Sequence, residues 1–168
     1  MALKQAQVGF QLPVVYSIFF LFIEPISALV GAFYSHFRQA RYLELLNSTS
    51  APQTGEPVPL GTSVAMSQLA NMYLFFALNE AFVLRASTDI RIWRAVLLVL
   101  LIADVGHLYS MKDLGFQIYY DVGSWNAADW GNVPWVYMGA VLRLCFLGES
   151  VLESGKLSRL FEQTDSLI

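Results

Sequence analysis

Four long apolar stretches, separated by polar and turn-forming residues, divide the chain. They cover about residues 12–34, 64–84, 92–109 and 133–152. Each approaches the ~20 residues an α-helix needs to cross ~30 Å of hydrocarbon at ~1.5 Å per residue. Period-two alternation, the mark of a barrel strand, is missing from them. In lipid an uninterrupted run must satisfy its own backbone hydrogen bonds, so the pattern predicts helices. The expected fold is all-α, a polytopic membrane protein built as a bundle of four transmembrane helices. It forms one domain over 1–155, followed by a short polar tail at 156–168.

The connections differ in character. Residues 35–63 are polar and punctuated by Pro52, Gly55, Pro57, Pro59 and Gly61, which predicts an irregular loop. The stretch 86–91 is so short that the helices on either side must be antiparallel neighbours. Ser87-Thr88-Asp89 there offers an N-cap for the third helix. Tyr119, Tyr120, Trp125, Trp130 and Trp135 crowd the third connection, a composition suited to the membrane–water boundary. Lys4 followed by apolar residues also fits a signal peptide, but the length of the run and Glu24-Pro25 inside it argue against cleavage. Internal repeats and low-complexity tracts are not visible.

Composition sharpens the membrane assignment. Of 168 residues, 56% are hydrophobic and only 14% are charged, whereas soluble domains carry about 25% charged residues. A net charge of −3 supplies no basic surface for nucleic acid. The single cysteine, Cys145, lies in an apolar run and reads as inert packing, with no disulfide framework or thiolate metal site. If the helices alternate, Lys4, Arg85, Arg91, Arg94, Lys156 and Arg159 flank one side, and Arg38, Arg41 and Lys112 the other. The positive-inside bias then places both termini in the cytoplasm. Asn47-Ser48-Thr49 is a glycosylation sequon on the opposite, lumenal side. The endoplasmic reticulum is the expected membrane.

The chemistry lies in ionisable residues at bilayer depth. A carboxylate at the position of Glu24 costs at least ~2.5 kcal/mol unless paired or protonated. Ser17, Glu24 and Gly31, with Ser27 or Ala28 between, make a small, polar stripe that turns Glu24 inward. Pro25 removes a backbone donor beside it and should bend the helix. On the second helix Gln68, Asn71 and Asn79 define an amide-lined face. Glu80, near the cytoplasmic end, reads as an interfacial partner of Arg85 or Arg94. Asp104 and His107 share a face of the third helix and suit an acid–base pair, the carboxylate orienting the imidazole. Arg143 on the fourth helix demands a carboxylate, for which Glu24 and Asp104 are the candidates. Glu149 and Glu153 lie nearer the surface. Metal binding is not expected, because His36 is the one other histidine and sits in the first loop. The competing interpretation of the whole set is a charge network that fixes helix registry.

Several strings carry a family resemblance: Phe22-Ile23-Glu24-Pro25, Asn79-Glu80-Ala81 with Val83-Leu84-Arg85, Asp104-Val105-Gly106-His107-Leu108-Tyr109, Trp125-Asn126 with Asp129-Trp130-Gly131-Asn132, and Arg143-Leu144. Together they resemble a largely uncharacterised fungal family of short integral membrane proteins, over most of residues 12–147. That resemblance implies a fungal source and a four-helix domain. In architecture the chain is also similar to the sterol isomerase and sigma-2 receptor superfamily, and to the fungal membrane-bound terpene cyclases of meroterpenoid pathways. Those analogies imply a lipophilic ligand held among intramembrane acids and transfer no catalytic residue.

The expected function is therefore an integral membrane isomerase or cyclase acting on an isoprenoid, sterol-like or meroterpenoid substrate without a cofactor. Asp104, Glu24 and His107 are the candidate acid and base residues. Asn71, Asn79, Arg143, Tyr73, Trp125 and Trp130 are the candidate substrate contacts, the aromatic rings offering π-faces to a carbocation. The alternative is a non-catalytic lipid- or sterol-binding protein, or an assembly factor of a membrane complex, whose mark would be Gln68, Asn71 and Asn79 facing outward. Expected partners are a lipophilic small molecule, membrane lipid and a second copy of the chain.

Overall fold

The computed structural model describes residues 12–53 and 55–165, with side chains as far as residue 149. Lys4 and the side chains of Glu153, Lys156 and Arg159, used in the sequence reading, lie outside the described residues. Helix α1 spans Val14–Phe37, α2 Gln39–Leu46, α3 residues 60–84, α4 Ile90–Ser110, α5 Ala127–Asn132 and α6 Pro134–Asp165. No strand occurs among the described residues, and the protein is all-α. The loop expected to be irregular contains α2, whose Leu43 is buried, and the last long helix runs well past residue 152.

Local sequence explains how the helices begin and where they are disturbed. Pro13 and Pro59 stand immediately before α1 and α3, where a missing N–H costs nothing. The Asp89 carboxylate accepts the Arg91 N–H at 2.8 Å and caps α4, as the Ser-Thr-Asp string suggests. Asn126 and Asp129 close a reciprocal capping box at the start of α5. Gly115 sits at φ +98°, a conformation that other residues rarely adopt, and lets the chain turn between two 3₁₀ segments after α4.

Two helices depart from α geometry, α1 in its first half and α3 at its C-terminal end. Phe19–Ile23 of α1 and Asn79–Leu84 of α3 form π turns that pack against each other. The first directly precedes Glu24-Pro25, and the second contains Glu80. Proline at position 25 cannot donate to the Leu21 carbonyl four residues back. That carbonyl accepts instead from Nη2 of Arg85, the residue that caps the end of α3, whose guanidinium also stacks over the Phe22 ring at 4.4 Å. The disturbance expected at Pro25 is thus a widened turn whose freed acceptor is satisfied by a neighbouring helix.

In the bundle α1 packs on α3 and α4 on α6. Between α1 and α3 the contact line is small: Ala28, Gly31 and Ser35, with the Tyr73 ring 3.3 Å from where a Gly31 Cβ would stand. One end of the bundle holds an aromatic and aliphatic cluster of Tyr16, Phe19, Phe20, Leu84, Trp93, Leu97, Leu100 and Phe146. At the other end α2 and α5 pack together, and Asn126 Nδ2 donates to the Leu45 carbonyl at 2.7 Å.

The distribution of polarity is inverted relative to a water-soluble domain. Arg143 and Glu80 are fully buried, whereas Val99, Ile102 and Val105 on α4 are more than 60% exposed. Two helices among the described residues are long and apolar enough to cross a membrane: Val14–Phe37 with mean hydropathy 2.0, and Ile90–Leu114 with 1.7. Membrane association rests on these two, where the hydrophobic pattern led us to expect four.

Candidate functional site

Each long helix sends one ionisable side chain to a common centre. Arg143 of α6 donates from Nη1 to Asp104 Oδ2 of α4 at 2.8 Å. From Nη2 it donates to Glu24 Oε1 of α1 at 2.7 Å and lies 3.5 Å from Glu80 Oε1 of α3. All four residues are buried. A guanidinium presents a flat fork of donors, so one arginine can hold several carboxyl groups where a lysine would hold fewer. Phe20 and Phe76 cover the guanidinium from within 6 Å of its central carbon and keep water from it.

Gly139 makes the arrangement possible. It precedes Arg143 by one helical turn, and a Cβ there would stand 2.5 Å from Arg143 Nη1 and 3.1 Å from Glu24 Oε1. The absent side chain is the space in which the ion pair forms. One turn beyond Glu24, Ser27 accepts from Trp135 Nε1 at 2.8 Å and donates to the Glu24 carbonyl at 2.8 Å, tying α6 to α1 beside the cluster. Three polar atoms in the cluster are buried without a partner: Glu24 Oε2, Glu80 Oε2 and Arg143 Nε.

The candidates from sequence separate into groups. Glu24, Asp104 and Arg143 meet as their depth suggests. Glu80 is a correction: it joins this centre, while Arg85 turns to Leu21 and Phe22. Asp104 and His107 share a helix face but no hydrogen bond. The carboxylate goes to Arg143, and His107 points toward the Asn132 backbone with Nε2 buried and unpartnered. Tyr73 bonds Tyr42 through their hydroxyls at 3.2 Å. Trp125 donates to the Ile118 carbonyl and meets Trp130 edge-to-face at 5.2 Å, in the connection before α6. The rings beside the Arg143 guanidinium are Phe20 and Phe76. Asn79 bonds back to the Phe75 carbonyl of its own helix, while Gln68 and Asn71 face outward. Cys145 is exposed where packing was expected. Asn47 Oδ1 accepts from both the Thr49 N–H and the Thr49 hydroxyl, on a 3₁₀ turn after α2.

A second feature lies at the edge of the bundle. Between α1 and α3 runs a groove of about 400 Å³ lined by Leu29, Ala32, Phe33, Phe37, Ala70 and Leu74, with His36, Ser67 and Asn71 as its polar members. His36 Nδ1 is 3.2 Å from Ser67 Oγ, and Gln39 Nε2 reaches the same hydroxyl at 3.4 Å. A shallower depression lies against Phe82, Val83 and Ile92. Neither is lined by a member of the Arg143 cluster.

Residues 9–152 match a family described as a domain of unknown function, DUF7704. The chain belongs to this family. The match spans α1 through most of the described part of α6, so all four residues of the buried centre and the whole α1–α3 groove fall inside the DUF7704 domain. No curated protein and no solved structure matches the chain significantly.

Proposed function

We propose that this DUF7704 protein spans the membrane with four helices, α1, α3, α4 and α6, and binds a neutral lipophilic molecule in the groove between α1 and α3. The observation that carries this is the lining of the groove: apolar walls from both helices, with an imidazole, a hydroxyl and an amide facing out among them. An unsatisfied amide in hydrocarbon is costly. Asn71, beside the His36–Ser67 pair, is placed to meet a hydroxyl or carbonyl on a molecule whose remainder lies on Leu29, Phe33 and Leu74. No lining residue carries a fixed charge, which favours a neutral head over a phosphate. In this proposal the Arg143 cluster is a framework that holds four helices in register, as buried polar networks do in other bundles. Positive-inside bias then orients both termini to the cytoplasm, in the endoplasmic reticulum, with Asn47 lumenal.

Catalysis is the second reading, and one observation favours it. Three carboxyl groups surround a single guanidinium, an excess of acid that registry alone does not require. An isomerase or cyclase would draw its proton there.

The test is chemical identification of what the protein carries. Protein purified in mild detergent should retain a neutral lipid identifiable by mass spectrometry. Ala32→Phe, which fills the groove, together with Asn71→Leu, which removes its amide, should retain about tenfold less, the effect of roughly one hydrogen bond. Equal lipid content in wild type and double variant would sink the assignment.

A further inference from the structure

We propose that Glu24 and Glu80 hold one proton between them, so that the centre of the bundle is a proton-binding site as well as an ion-paired joint. Both carboxyl groups address the same nitrogen, Arg143 Nη2, at 2.7 and 3.5 Å. Both carboxyl groups converge on one buried nitrogen, so they are immediate neighbours, and the one attraction open between neighbouring carboxyl groups is a hydrogen bond from one to the other. Two ionised carboxylates offer only acceptors and cannot make such a bond, whereas one carboxylic acid and one carboxylate can.

The unpartnered atoms point the same way. Glu24 Oε2 and Glu80 Oε2 are both buried acceptors with no donor, in side chains 6% and 0% exposed. A single proton on either oxygen turns two orphan acceptors into one donor and one acceptor. Charge agrees with geometry. The groups facing the site are Glu24 from α1, Glu80 from α3, Asp104 from α4 and Arg143 from α6, so full ionisation sets three negative charges against one positive. Arg143 Nη1 is already occupied by Asp104. His107, one turn along α4, has no hydrogen bond to any of the three carboxyl groups and does not supply a second cation to them. Like charges in one dry site do not both ionise; one of them keeps its proton.

The two π turns explain why these two acids meet. They pack together, and each carries or directly precedes a glutamate, so the widened turns bring α1 and α3 carboxyl groups to the same nitrogen. The proton store of the bundle is then the Glu24–Glu80 pair, with Asp104 the ionised partner of Arg143.

Infrared spectroscopy of the whole protein in lipid nanodiscs at pH 8 tests this. The exposed glutamates are ionised there, so the proposal expects a carboxylic-acid C=O stretch that shifts in D₂O and moves on ¹³C-glutamate labelling but not on ¹³C-aspartate labelling. Glu80→Gln and Glu24→Gln should each abolish the band completely. Absence of the band in wild type, its response to the aspartate label, or its persistence in both variants would overturn the proposal. The isotope arms use unmodified sequence, so they decide the matter even if a variant does not fold.

Discussion

At the centre of this bundle, polar side chains come from four helices and point at one another; along the α1–α3 edge, polar side chains come from two helices and point away from the protein. The central set is charged, buried and knitted by short bonds from Arg143 to Glu24 and Asp104. The edge set of His36, Ser67 and Asn71 contains no carboxylate, lysine or arginine and borders apolar walls. Both regions carry groups that hydrocarbon penalises. The first meets that cost with its own partners, and the second leaves part of it unmet. The fold thus pairs its strongest charges internally and leaves weaker polar groups at its edge.

Removing Arg143 should break the comparison most severely. Arg143→Ala leaves three carboxyl groups around a void and should lower stability by about 3–5 kcal/mol, measured by denaturant unfolding in detergent. Gly139→Ala comes next. Its new methyl must displace the guanidinium or the Glu24 carboxylate, and overpacking of this kind costs about 1–3 kcal/mol. Because Gly139 reaches no ligand groove, lipid retention in folded Gly139→Ala protein should equal wild type. At the edge, Asn71→Leu should change stability by less than about 0.5 kcal/mol, since its amide bonds no described residue, while lowering the retained lipid. A large stability loss from Asn71→Leu, or a negligible one from Arg143→Ala, would reverse the roles assigned to the two regions.

The centre was more legible in the sequence than the edge. Arg143 in an apolar run requires an acid, and the depth of Glu24 and Asp104 along their helices identifies them without coordinates. Glu80 was misread because it stands near the end of its hydrophobic run, with Arg85 and Arg94 close to the same membrane boundary as ready interfacial partners. Pro25 changes the outcome: it frees the Leu21 carbonyl, and Arg85 goes there. A proline-to-carbonyl account of the first helix is the signal that could have redirected Glu80. Gly139 carries a quieter signal, a glycine four residues before a buried arginine on one helix face. His107 shows the limit of spacing arguments. Three residues of separation put it on the Asp104 face, yet the carboxylate is claimed by a charge from another helix. The groove was not readable at all, because Leu29, Phe33 and Leu74 are ordinary apolar residues until two helices are set side by side.

The proposed four spans put the Arg143 cluster at membrane depth and turn apolar faces of all four long helices to lipid. The chain supplies its own probe, since Cys145 is the single cysteine, two residues from Arg143, and exposed on α6. A spin label on Cys145 in nanodiscs reports collisions with oxygen, which concentrates in lipid, and with a water-soluble nickel complex. High oxygen and low nickel accessibility, with no reaction toward a membrane-impermeant maleimide, is the predicted result. Ready access of the nickel complex or the maleimide to Cys145 would place α6 in water and contradict the account.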